Sequence, residues 1–175
     1  MTLMPGSTAR WTGLAAGLAL AATILVLGRV PGGHGVAGAA LGLSANPVTE
    51  LGVTPAGREF MTARALKAGG SPAEGTLVIA NYTGRRLTAG VQLTGDDRDL
   101  DRVLRVAVSS AGRSLFEGPL GDLRKPGRLG LALAARRSGR LVFRAWVPRG
   151  LPTRDFQGRF ARLSLELQPQ RRVRR

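Results

Sequence analysis

Three groups of residues in this chain have types and spacings that chemistry could use. Asp97, Asp99 and Asp101 stand at alternate positions, as carboxylates do at the start of a calcium loop. Such a loop also needs glycine at its sixth position and glutamate at its twelfth. Those positions hold Arg102 and Val108, and Arg98 and Arg102 neutralise the carboxylates, so a solvated turn is expected. Asn81-Tyr82-Thr83 fits a glycosylation sequon. A turn is sufficient to explain it, because asparagine tolerates the left-handed backbone. Arg171, Arg172, Arg174 and Arg175 form the densest basic cluster. It reads as a solvated tail or as a set of electrostatic contacts to an anionic polymer, including extracellular DNA.

A catalytic constellation cannot be assembled. The sequence has one histidine, His34, and no cysteine. That excludes a thiolate metal site, a cysteine nucleophile and an H-E-x-x-H zinc site. A Ser-His-Asp triad would depend on His34, which sits in a glycine-rich stretch near a predicted cleavage region. No glycine pattern of the P-loop or dinucleotide type follows a strand and opens a helix. The sequence therefore predicts a non-enzymatic protein with no cofactor and no metal.

The elements that must carry these residues begin with a targeting segment. Residues 14–27 form an apolar run preceded by Arg10, and no acidic residue appears before Glu50. A positive start, an apolar run and a small-residue tail are the order of a secretory signal peptide. The run is shorter than the roughly 20 residues that span a bilayer core, although an uncleaved membrane anchor remains the alternative. Ala37-Gly38-Ala39 and Leu43-Ser44-Ala45 are the candidate cleavage patterns, so cutting at Ala39, Ala40 or Ala45 would start the mature chain between Ala40 and Asn46. Residues 1–45 thus read as signal peptide or anchor. The rest is expected to be secreted or held at a bacterial cell surface, meeting signal peptidase during export and the membrane only through its N-terminal segment.

The exported portion is long enough for one domain with a core. Without cysteine that core and its backbone ladders must hold it alone. The formal net charge is +15, from 26 basic and 11 acidic residues. Only Arg10 and Arg29 precede Ala45, and Lys67 and Lys125 are the only lysines. An arginine-rich field of this strength attracts anionic polymers of an envelope or matrix.

From Phe60 onward short apolar runs alternate with turn residues. Strands are expected near 60–65, 76–80, 87–94, 103–109, 114–117, 140–147 and 158–168. Leu141, Phe143, Ala145 and Val147 alternate with Val142, Arg144 and Trp146, the clearest period-2 pattern in the chain. Trp146 reads as a half-buried packing residue. Residues 120–133 are ambiguous between a strand and a short helix. Seven or so short strands separated by turns predict an antiparallel β-sandwich over residues 60–169, with 170–175 as a basic tail.

The order of these pieces resembles the TasA/camelysin family of bacterial biofilm-matrix fibre proteins. The resemblance rests on Asn81-Tyr82-Thr83-Gly84 after an apolar strand and on Leu115-Phe116-Glu117-Gly118-Pro119-Leu120. It also rests on a strand ending at Val147-Pro148 and on Phe156-Gln157-Gly158 leading into the last alternating segment. It covers about residues 74–168. It implies a jelly-roll-like sandwich, export, and self-association into extracellular filaments in which one subunit's N-terminal segment adds a strand to the next. Residues 46–59 form an N-terminal extension, and Leu41, Leu43, Val48, Leu51 and Val53 are the candidate donor-strand positions. An extended segment without a partner in its own sheet can pair with a neighbour's edge. Two other functions stay open: a membrane-tethered monomeric surface-binding module, and a secreted metalloprotease-like hydrolase, for which the sequence offers no ligand set. Deleting residues 41–55 is expected to abolish polymerisation and leave a folded monomer.

Overall fold

The structure is a computed structural model that describes residues 38–95 and 98–170. The apolar run at 14–27, Asp97 and the arginines at 171–175 lie outside the described residues. So does His34. Among the described residues the fold is all-β, with ten strands in two five-stranded sheets.

The strands are β1 (Ala39–Ala45), β2 (Leu51–Thr54), β3 (Glu59–Leu66), β4 (Ala73–Asn81), β5 (Leu87–Thr94), β6 (Arg105–Ser110), β7 (Arg113–Pro119), β8 (Leu129–Leu133), β9 (Ser138–Trp146) and β10 (Phe160–Gln170). The first sheet runs β3-β1-β10-β5-β8 and the second β2-β4-β9-β6-β7. Period-2 alternation decides which side of each strand faces inward. In β9, Leu141, Phe143 and Ala145 are fully buried while Arg140 and Arg144 are exposed. In β10, Ala161, Leu163, Leu165 and Leu167 are buried while Arg162 and Glu166 face water. The inward residues of both sheets form one core cluster, within which Phe60 meets Phe143 at 5.0 Å between ring centroids.

Local chemistry sets several of the connections. Ser110 pairs with Arg113, leaving Ala111 and Gly112 as a two-residue hairpin turn, both at positive φ (47° and 78°). A tight hairpin needs that conformation at both central positions, and glycine adopts it without a steric penalty. The ambiguous segment 120–133 contains both expected structures in succession. Leu120–Arg124 is a 3-10 turn that buries Leu120 and Leu123, and β8 follows it.

Two sequence expectations need correction. The sheets begin at Ala39, well before Phe60, because β1 and β2 are full members of them. The sandwich is also not wholly antiparallel, since β1 lies parallel to β10, with Ala40 opposite Phe160 and Ala45 opposite Leu165. A parallel pair needs a long crossover rather than a hairpin. Here the rest of the domain supplies it, as the first and last strands meet in mid-sheet.

Candidate functional site

The five candidate donor-strand residues do not lie on one unpartnered segment. Leu41 and Leu43 are fully buried in β1, which hydrogen-bonds on one side to β10 and on the other to β3. Leu51 and Val53 belong to β2, at the edge of the other sheet, paired with Asn81 and Ile79 of β4. Val48 is half-buried between them and exchanges two backbone hydrogen bonds of 3.0 Å with Leu51. The period-2 spacing is therefore real in each half, but residues 46–50 carry the chain from one sheet to the other. The expectation that removing 41–55 leaves a folded monomer is corrected accordingly: that deletion takes most of β1, all of β2 and five core side chains (Leu41, Leu43, Ala45, Leu51 and Val53) from the domain.

The candidate cleavage residues fall inside the same strand. Ala39 and Ala45 are buried, and the Ala40 N–H donates to the Arg159 carbonyl at 2.9 Å. The Gly158 N–H donates to the Gly38 carbonyl at 3.1 Å. A cut after Ala39 would keep Leu41 and Leu43 in the sheet. A cut after Ala45 would remove β1 and bare the facing backbone edges of β3 and β10, which is the arrangement that invites an added strand. On the outer surface of this region the Ser44 and Ser164 hydroxyls lie 3.0 Å apart across β1 and β10.

Asn81 is the one buried polar residue among the described residues, at 1% exposure. Its amide nitrogen donates to the carbonyls of Arg85 (2.8 Å) and Ala134 (2.9 Å). Its amide oxygen accepts from the Thr83 N–H (2.9 Å) and the Thr83 hydroxyl (2.7 Å). Every amide hydrogen is thus used, and the buried nitrogen offers nothing to a glycosyl transfer. The sequon is a turn device. Beside it Tyr82 is 70% exposed, its ring lying where a β-carbon on Gly52 would collide with it.

In the acidic loop, Asp101 accepts from the Arg124 guanidinium at 2.7 Å, both side chains being largely buried. Its other carboxylate oxygen, Oδ1, is buried without a hydrogen-bond partner. Among the described residues no three histidine, cysteine or acidic side chains converge as metal ligands. No described helix is long and apolar enough to cross a membrane.

Sequence reasoning missed two surface features. Trp146 is half-buried and lines a groove of about 510 Å³ with Arg144, Arg149 and Pro148 on the outer side of the second sheet. At the other end of that sheet a recess of about 330 Å³ is lined by Tyr82, Arg136 and Arg137. The doublets Arg85-Arg86 and Arg136-Arg137 were visible as letters, but nothing local to either signals that the two turns meet. No protein-family model matches the chain, and no curated protein matches it.

Proposed function

We propose that this chain is an exported, non-enzymatic, jelly-roll-like subunit or accessory of extracellular matrix fibres, assembled by exchange of its first strand. The reading joins the TasA/camelysin resemblance to one observation, the position of β1. The first strand of the domain sits in mid-sheet between β3 and β10 and is tied to β2 by residues 46–50 alone. If β1 passes to a neighbouring copy, that copy's β3 and β10 offer it the same backbone partners and the same pockets for Leu41 and Leu43. Strand addition of this kind draws affinity from main-chain hydrogen bonds and specificity from alternate side chains. Each copy gives at one place and receives at another, so a run of such contacts that does not close on itself extends into a filament.

The membrane-tethered monomeric module is the competing reading, and docking of β1 in its own sheet favours it. A double variant, Ser44→Cys with Ser164→Cys, separates the two. Neighbouring strands lie about 4.8 Å apart, within the span a disulfide bridges. The sequence contains no other thiol. Strand exchange predicts that the oxidised full chain runs as a reducible ladder of covalent oligomers. A single intrachain-bridged band under conditions of assembly would refute exchange and leave the tethered monomer.

A further inference from the structure

We infer that the end of the second sheet bearing Tyr82 is a binding site for the phosphate groups of a linear polyanion. The inference does not rest on fibre assembly, since Arg86, Arg136 and Arg137, which carry it, lie outside β1, β3 and β10. Its basis is a juxtaposition that only the tertiary structure creates. The turn after β4 carries Arg85-Arg86 and the turn before β9 carries Arg136-Arg137, and Asn81 fastens them together. Asn81 donates to a carbonyl in each turn, at Arg85 and at Ala134. The Asn81 N–H donates to the Arg137 carbonyl at 2.9 Å and the Arg136 N–H to the Thr83 carbonyl at 3.1 Å.

The charge gathered there is poorly compensated. Glu50 pairs with Arg85 at 2.8 Å. Arg86, Arg136 and Arg137 are exposed and make no ion pair among the described residues. Arg136 and Arg137 border the 330 Å³ recess beside Tyr82, room for a phosphate group with its linking atoms. A guanidinium presents two parallel N–H donors that match two phosphate oxygens, so recognition does not require bases or sugars.

Arg136 stands at φ +53°, at the third position of a turn closed by the Arg137 N–H on the Ala134 carbonyl at 3.3 Å. Glycine or asparagine is the unstrained choice there, so the backbone of the turn does not depend on an arginine.

The test uses the full chain and fluorescent polyphosphate of about 30 units, with binding followed by anisotropy across a salt series. Arg136→Gln with Arg137→Gln is expected to weaken binding about tenfold or more at low salt. It should also flatten the slope of log K against log salt by about one to two. Arg64→Gln with Arg128→Gln removes the same charge from exposed positions elsewhere and is expected to change affinity by less than about threefold. Arg136→Gly supplies the readout a purely structural arginine would not give: the melting temperature holds or rises while affinity falls. Equal losses in both double variants would overturn the site in favour of net charge alone, as would an unchanged salt slope in the first. Single-stranded DNA with the same number of phosphates is expected to bind about as well as polyphosphate. Much tighter DNA binding that collapses on Tyr82→Ala would overturn the phosphate assignment in favour of stacked bases.

Discussion

The two sheets bury the same kinds of residue and expose different ones. On the outer surface of the first sheet, polar groups satisfy one another: Ser44 with Ser164, the Thr94 hydroxyl with the Ser164 carbonyl at 3.1 Å, and Arg162 with Glu59 at 2.8 Å. The outer surface of the second sheet presents Arg105, Arg140, Arg144 and the half-buried Trp146, with Glu74 answering Arg144 alone at 2.9 Å. The inner sides obey one rule because both meet a single core. The outer sides are free of that rule, because they pack against no shared core. On the first sheet's outer surface the groups just named answer one another and Arg64 stands without an ion pair among the described residues, whereas on the second sheet's both Arg105 and Arg140 do.

The largest effects test the claim that the inner sides are alike. Phe143→Ala in the second sheet is expected to cost about 3–5 kcal/mol and Leu43→Ala in the first about 2–5 kcal/mol, measured by urea unfolding. A Leu43→Ala cost below about 1 kcal/mol would mean that β1 is not a standing member of its sheet. Next in size is Asn81→Ala, which leaves the Arg85 and Ala134 carbonyls without their buried donor. A loss of about 1–3 kcal/mol is expected. The surface pairs come after it. Arg162→Gln and Arg144→Gln should each shift stability by less than about 0.5 kcal/mol, because exposed ion pairs contribute little. A large effect from Arg162→Gln alone would sharpen the contrast, making the first sheet's outer pairs part of its fold.

The smallest effect is a pH dependence in the 3-10 turn at Leu120–Arg124. A hydrogen bond from the Lys125 ammonium, 2.6 Å away, holds the exposed Asp122 carboxyl below its ordinary value of 3.8. A folded-state value below the unfolded one adds stability above pH 3.8, and that contribution disappears as pH falls through the lower, folded value. Lys125→Ala should return the Asp122 titration toward 3.8, read by carboxyl NMR.

Much of the strand layout was legible because β-structure with one buried side writes itself as alternation. The pattern at Leu141, Phe143 and Ala145 and the pattern from Leu163 to Leu167 each lie on the strand and face that the structure assigns. The turns were legible where glycine marked them, as at Gly112. The early strands were harder to place. Leu41 with Leu43 and Leu51 with Val53 alternate correctly, but four to seven residues of alternation do not say which sheet receives them. The parallel pairing of β1 with β10 has no local signal, since its partners are about 120 residues apart. The candidate anion site was less legible still. Its two arginine doublets are unremarkable solvated turns when read separately, and Asn81, which joins them, has the letters of a sequon.

The order of residues by itself determined which side of each strand is apolar, where most turns fall, and that neither a disulfide nor a thiolate site can exist, because each follows from residue type and near-neighbour spacing. The tertiary structure alone decided that the first strand lies beside the last, and that two distant arginine turns share one end of a sheet. Both depend on hydrogen bonds between backbones far apart in the chain, whose pairing is set by competition among all the strands for one core.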